Sequence, residues 1–389
     1  MTKELDQVKP ASRRALVLSG GGARAAYQVG VLQALVEILP QDAPHPFPII
    51  CGTSAGAINA LALAAHQGSF HEAVTSLAHM WRNLTPGDIY LNGWTDLFKG
   101  LSMIGLSLFR GGISEQRPLS LLDNTPLWNL LGNTIRFENL DKNIASGQLY
   151  AVSISAMGYT SGQTVSFFQG QPDIQGWNRY RRAGVASHIK LEHLLASSAI
   201  PTIFPAVRIN REYFGDGALR QLAPISPALH LGADALFVIG VSGNRKSQHW
   251  GKRRPLRHSP SMAQIVGHLL NSAFIDGMEA DLEHLERLNQ LIGLIPEEQR
   301  LAAGLELRQV NNKIISPSRP LDAIAGRNIR YLPKSMRFFL RAIGATASGG
   351  GATAASYLLF VQEFIHELME LGYQDTMWEA DDLKQFFSS

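Results

Sequence analysis

The sequence predicts an α/β fold built on a parallel sheet, and three observations carry that prediction. A short apolar run, Ala15 to Leu18, passes through a glycine loop into a helical stretch from about Ala25 to Ile38. A second apolar run, Pro48 to Cys51, passes through Gly52-Thr53-Ser54-Ala55-Gly56 into the small-residue helical run Ala57 to Ala65. A third buried strand reads from Ala235 to Val241. Strand, helix, strand, helix in quick succession is the alternation of parallel-sheet units, whose strands need a crossover between them.

Taken in order, residues 1–13 read as a polar tail, and Pro40, Pro44, Pro46 and Pro48 make the first crossover return as a loop. Residues 70–140 read as helix and loop with scattered aromatics, among them Trp81, Tyr90, Trp94, Phe98, Phe109 and Trp128. Gln148 to Ala156 and Gln163 to Phe168 alternate around the turn at Gly158 to Gly162, which predicts a hairpin. A helix over about 189–199 stops at Pro201, and Val207 to Ile209 with Glu212 to Phe214 forms a second hairpin-like pair. The composition then shifts: Arg245, Lys246, Lys252, Arg253, Arg254 and Arg257 crowd a loop in which no acidic residue occurs between Asp234 and Asp276. Helical spacing returns over Ser261 to Leu294 and Ser356 to Leu371. The domain expectation is a core of about 14–245 and a helical region of about 260–389 packed on or capping it.

Bulk composition narrows the function classes. At 389 residues, 45% hydrophobic and 17% charged, the chain can bury one large core or two. A formal net charge of +3 gives no nucleic-acid signature. One cysteine excludes an internal disulfide framework or a Cys-cluster metal site, and Cys51 reads as a small buried residue at a strand end. No secretory leader is visible at the N-terminus, and no uncharged apolar stretch reaches the ~18 residues of a bilayer span. The nearest is Gly100 to Phe109, between Lys99 and Arg110. The expectation is a cytoplasmic protein, peripheral at a membrane if it meets one.

Chemistry concentrates at Ser54. With 36 glycines, a G-x-S-x-G match arises by chance in roughly one chain in four of this composition, so its setting decides. A serine on a sharp strand-to-helix turn is held with its hydroxyl exposed, while Gly52 and Gly56 let the two backbones approach. The helix that follows aims free N–H groups at the same point. The two readings of the pentapeptide are a nucleophile and a tight structural turn.

Four segments together are more specific. They are Gly20-Gly21-Gly22-Ala23-Arg24 after the first strand, the Ser54 turn, Ala196-Ser197-Ser198-Ala199-Ile200-Pro201 with Phe204-Pro205 behind it, and Asp216-Gly217-Ala218 after Tyr213-Phe214. In this order the chain resembles the patatin-like phospholipases over roughly residues 14–240. The resemblance implies a three-layer α/β/α fold with a mainly parallel central sheet and a helical C-terminal portion. It also implies a lipid acyl hydrolase of the phospholipase A or lysophospholipase type, forming an acyl-enzyme with no cofactor or metal. Ser54 would be its nucleophile, Asp216 its base without any histidine, and the Gly20, Gly21 and Gly22 backbone its oxyanion hole. Arg24, Gly52, Gly56 and Gly217 would support these. Ala25 stands where the family usually carries another glycine, and Ala218 replaces the second glycine of D-G-G.

The residues are consistent with that chemistry: acyl transfer needs an activated hydroxyl, a proton acceptor and donors aimed at a developing alkoxide. A dyad of this kind needs Asp216 desolvated. Arg24 would steady the glycine loop or attract an anionic head group, or else lie on the surface. Three alternatives stay open. An α/β-hydrolase triad would use a histidine after Asp216, namely His230, His249, His258, His268, His284 or His366, although only one strand precedes the serine. A dinucleotide site would read Gly20-x-Gly22-x-x-Ala25 as its loop, but the second strand ends Ile50-Cys51-Gly52 without the required acid. A scaffold of this family would bind lipid or protein without turnover. The partner expectation is a lipid or phospholipid substrate and no nucleic acid. The 245–257 run is either a contact for anionic lipid or a solvated loop. The apolar segments 100–109 and 337–343 either meet a bilayer, line an acyl pocket or belong to the core. Gly349 to Gly351 reads as a connection, since no strand leads into it.

Overall fold

Strands that are apolar at every position must be covered on both faces, and that requirement organises the molecule. A computed structural model describes residues 13–40, 45–109, 118–242, 259, 261–273, 277–304, 307–345 and 351–388. The basic run at 245–257, His249, His258, Gly349, Gly350 and the tail before Arg13 lie outside the described residues. The strands are β1 (Arg14–Leu18), β2 (Ile49–Thr53), β3 (Ala151–Gly158), β4 (Thr164–Gly170), β5 (Trp177–Arg179), β6 (Arg182–Ala186), β7 (Val207–Ile209), β8 (Glu212–Asp216), β9 (Ala235–Ile239) and β10 (Asn311–Ile315). They form one sheet in the order β10-β9-β1-β2-β3-β4-β6-β5, with β8 joining β3 and β7 joining β8.

From β10 to β3 every neighbouring pair is parallel. The predicted hairpin then turns the sheet over, β4 running antiparallel to β3. Helices α1 (Ala26–Ile38), α2 (Ala55–Ala64) and α3 (Phe70–Asn83) contribute to the cluster on one face, with Leu16, Leu18 and Ile50. Ala15, Val17, Ile49 and Cys51 point to the other, where Ala228, Leu282 and Leu285 cover them from the helices Ser226–His230 and Gly277–Gly293. The three-layer α/β/α architecture expected from the sequence is the one observed. Cys51 is buried, but in the middle of β2 and not at its end as the sequence suggested, and burial raises its thiol pKa.

Register brings the distant motifs together. Thr53, the last residue of β2, lies beside Ser155 of β3. The next residue of β3, Ala156, is paired with Asp216 at the end of β8. Ser54, the residue after β2, and Asp216, the last of β8, are far apart in sequence but sit at the same end of the sheet because both strands flank β3.

Two C-terminal readings need correction. The region beyond 260 contains a strand as well as helices: β10 adds to the sheet in parallel beside β9. Its sequence, Asn-Asn-Lys-Ile-Ile, carries apolar residues only at one end, as suits a sheet edge. The last long helix is Gln362–Met377, not Ser356 to Leu371. Tyr357 to Val361 is apolar throughout and runs buried between it and the short helix Ala352–Ser356.

Helix Gln362–Met377 crosses α1 at near backbone contact. A Cβ on Gly30 would fall 1.8 Å from the Met369 carbonyl oxygen, and one on Gly372 would fall 2.2 Å from that of Tyr27. Gly30→Ala would normally stabilise a helix by about 1 kcal/mol. Here the two helices must separate, and a net loss of about 2–4 kcal/mol is expected. A urea titration checks it, and an unchanged midpoint would contradict this crossing.

Candidate active site

The turn after β2 is strained. Ser54 has φ 56° and ψ −130°, a region β-carbon residues avoid, at a cost of roughly 1–3 kcal/mol. Its N–H donates to Ser197 Oγ at 2.9 Å, and Ser197 Oγ donates in turn to the Ser155 carbonyl at 2.7 Å. The flanking glycines are sterically required. A Cβ on Gly52 would lie 2.5 Å from the Gly56 carbonyl oxygen, and one on Gly56 would lie 2.4 Å from that of Leu18. Ser54 itself is buried, and the first turn of α2 begins immediately after it.

Asp216 is fully buried at the end of β8, where its N–H donates to the Ala199 carbonyl at 2.9 Å. Its Oδ1 accepts from the Ala218 N–H at 3.0 Å. Burial pushes its pKa up to about 7, opposed by the Ser54 hydroxyl and by the Ala218 N–H. The serine hydroxyl is thus near enough to favour the charged form. Oδ2 nevertheless has no aligned hydrogen bond, so we read the pair as close but not locked together. Gly217 follows with no room for a side chain, 2.2 Å separating its would-be Cβ from the Ser155 carbonyl oxygen.

The glycine loop leaves β1 beside this pair. Gly20, Gly21 and Gly22 are all buried, and Gly22 adopts φ +56° with its would-be Cβ 2.2 Å from the Tyr357 carbonyl oxygen. That carbonyl takes the Ala23 N–H at 3.1 Å. Among the described residues, the Gly21 and Gly22 N–H groups make no hydrogen bond. Ala25 has φ −65°, ordinary for any residue, so the missing family glycine costs nothing there. A buried chain of amides fixes the loop from below: Trp81 Nε1 donates to Asn59 Oδ1 at 2.7 Å, Asn59 to Gln28 at 2.9 Å, and Gln28 to the Ser19 carbonyl at 2.8 Å.

Arg24 is not on the surface. It is 2% exposed, with Nη2 2.6 Å from Asp322 Oδ1, Nε 2.7 Å from Ser356 Oγ, and its guanidinium 4.4 Å over the Tyr357 ring. The partners of its guanidinium, Asn271, Asp322, Thr353, Ser356 and Tyr357, come from the C-terminal region, which therefore reaches the loop directly.

A narrow apolar pocket, with about 30 Å³ of free space, opens beside Ser54. Ala55 and Ile58 of α2, Trp81 of α3, Leu131, Phe204 and Phe360 are among its walls. Among the described residues, none from 100–107 or 337–343 lines this pocket.

Sequence reasoning missed several neighbours. Thr53 Oγ1 donates to Gln221 at 2.8 Å, and Gln221 reaches Ser155 Oγ at 3.3 Å, a polar web beneath the turn. Ser197 lay in a recognised segment without an assigned task, and Gln221 stands alone in sequence with no periodic signal. Of the histidines after Asp216, His230 stacks on Trp177 and bonds to Ser226, against the sheet face opposite α2. Among the described residues, no recorded histidine contact reaches Ser54 or Asp216.

The chain is 28% identical over 218 residues to a cGAMP-activated phospholipase of Pseudomonas aeruginosa, covering 55% of each. It is 26% identical over 232 residues to mouse calcium-independent phospholipase A2-gamma, covering 58% of this chain and 27% of that one. The chain thus spans about half the length of the first relative and about a quarter of the second. Among solved structures, human GIVD cytosolic phospholipase A2 aligns over 97% of this chain and 60% of its own at 11% identity and a TM-score of 0.46, a likeness that adds no argument. The model of the patatin-like phospholipases matches residues 16–229, the stretch that carries the glycine loop, the serine turn and Asp216, and the chain belongs to that family.

Proposed function

We propose that this protein hydrolyses acyl esters of phospholipids or lysophospholipids through a Ser54–Asp216 dyad. The observation that carries the reading is a strained, buried serine beside a fully buried aspartate, at the mouth of an apolar cavity. The acyl chain would enter that pocket by parting its apolar side chains, with its carbonyl at Ser54. Asp216 takes the Ser54 proton as Oγ attacks the carbonyl carbon. The alkoxide that forms is held by the Gly21 and Gly22 N–H groups. The Ala55 N–H joins them, since the first residue of a helix has no intrahelical acceptor. Each such donor is worth about 3 kcal/mol in other enzymes. Collapse expels the lysolipid or glycerol oxygen, which takes the proton back from Asp216. Water, deprotonated by the same carboxylate, then releases the fatty acid. Catalytic pairs often stand loosely before substrate arrives, as Oδ2 does here. Gly20 belongs to the same oxyanion loop, Gly52, Gly56 and Gly217 keep the backbones close, and Arg24 braces the loop. Chemistry of this kind places the protein where lipid is, in the cytoplasm or peripherally at a membrane.

A panel of lipid classes hydrolysed by wild type and Ser54→Ala tests the reading, with fluorophosphonate labelling as a second readout. Loss of both in the variant is expected; full activity in Ser54→Ala on every substrate found would end it. Only the ionised carboxylate accepts a proton, so kcat/KM should rise with pH through about 7, the value to which burial raises Asp216. A profile flat from about pH 5 to 9 would remove Asp216 as the titrating base.

A further inference from the structure

Large apolar side chains exposed side by side are unusual on a soluble surface, and one such group adjoins the cavity. Helix Trp94–Phe109 presents Trp94, Phe98 and Leu101 at helical spacing, 44%, 58% and 41% exposed. Phe338, 58% exposed, meets Trp94 from the neighbouring helix Lys334–Ala342, ring centroids 5.5 Å apart. Trp94 also stacks on Phe98 at 6.2 Å. Burying them against one another still leaves each ring partly in water.

The surroundings specify what would cover this patch. Lys334 and Arg341 share the face of Phe338, one turn before and after it, and Lys99 borders Phe98; all three are exposed. Helix Lys334–Ala342 carries no acidic residue, and the single acid of helix Trp94–Phe109, Asp96, is partly buried. Tryptophan and phenylalanine framed by cations fit the boundary between headgroups and acyl chains of an anionic bilayer, where rings enter the apolar layer and cations stay with phosphate.

The patch is also continuous with the candidate site. Ile89, a wall of the cavity, lies five residues ahead of Trp94. The Ser335 hydroxyl donates to the Asn92 carbonyl and ties helix Lys334–Ala342 to the loop that leads into helix Trp94–Phe109. Gly100 packs directly on the Leu121 carbonyl, and Leu121 N–H donates to the Thr202 carbonyl at 2.8 Å. Three residues earlier, Ala199 holds the Asp216 N–H. We propose that Trp94, Phe98, Leu101 and Phe338, with Lys99, Lys334 and Arg341, form the surface by which the protein sits on an anionic phospholipid bilayer, presenting the cavity to it. The choice of a bilayer rests on the lipid-hydrolase reading; the patch itself does not.

Flotation with vesicles tests this on the Ser54→Ala protein, so that binding is read without hydrolysis. Vesicles of phosphatidylcholine alone are compared with vesicles containing phosphatidylglycerol. Trp94→Ala/Phe98→Ala/Phe338→Ala should lower partitioning to the anionic vesicles by about tenfold or more. Lys334→Glu/Arg341→Glu should lower it there while leaving the weaker binding to phosphatidylcholine unchanged. With Ser54 restored, the triple variant should hydrolyse a short soluble ester like wild type but lose activity on vesicles. Undiminished flotation of the triple variant would overturn the proposal. So would equal losses on soluble ester and vesicles, or a parent oligomer that the triple variant splits, which would make the patch a contact between copies. If Ser54→Ala kept its activity the dyad would fall, and the flotation result would stand by itself.

Discussion

Asp216→Asn is expected to lower kcat/KM by about a thousandfold or more while making the folded protein more stable at pH 8. Asparagine has the shape of the carboxyl and keeps an oxygen for the Ala218 N–H, but it accepts no proton from Ser54. The stability gain follows from the burial that raises its pKa. A carboxyl raised from 3.8 to about 7 is disfavoured, when ionised, by at most about 4 kcal/mol. Below about pH 4 it is protonated in folded and unfolded chains alike, and the substitution should change little. Between about 4 and 7 the unfolded chain loses its proton first, so folding takes one up and stability falls as pH rises. Above about 7 the penalty is constant, and the variant escapes it. A gain of about 1–3 kcal/mol at pH 8 and none at pH 4, by urea unfolding, is the expected pattern. An equal gain at both would mean that the charge of Asp216 is not what burial penalises.

How far the sequence foretold this arrangement depends on the range of each interaction. β1, β2 and β9 are apolar at nearly every position, and the turn after β2 carries its own glycines, so local pattern was enough. The β3–β4 hairpin announced itself by alternation around a glycine turn. The edge strands β5 and β10, and β6 beside β5, did not, because half-exposed strands with Arg, Asn and Lys lack an apolar period. The site shows the same division. Ser54, Asp216 and the glycine loop lie in short motifs, whereas Ser197, Gln221 and the cavity walls arise from contacts that the sheet register creates. Arg24 was visible as a residue but not as a buried one, since its partners Asn271, Asp322, Thr353 and Ser356 are each more than two hundred positions away.

Those partners make Arg24→Met the second large effect. The side chain ties the loop after β1 to the segment whose Tyr357 carbonyl walls Gly22 and holds the Ala23 N–H. Removing one member of a buried ion pair typically costs 3–5 kcal/mol, but Asp322 is 40% exposed and can regain water. A loss of about 2–3 kcal/mol is therefore expected, together with a fall in kcat of about ten- to a hundredfold as the N–H groups lose their aim. KM should change little, and the effect should be the same on a soluble ester as on phospholipid. Arg24→Lys keeps the charge but not the fork of donors or the stacking on Tyr357, and should fall between. Asp322→Asn should weaken the same brace, and its effect in the Arg24→Met background should shrink to near zero if the two residues act as one unit. The competing assignment, a cation that receives a lipid phosphate, gives the opposite split. It would raise KM for anionic phospholipids alone, spare the soluble ester, and leave Asp322 without influence on kcat. A guanidinium 2% exposed with its donors already engaged by protein is arranged for the first outcome, because a phosphate would have to displace Asp322 and Ser356 to reach it.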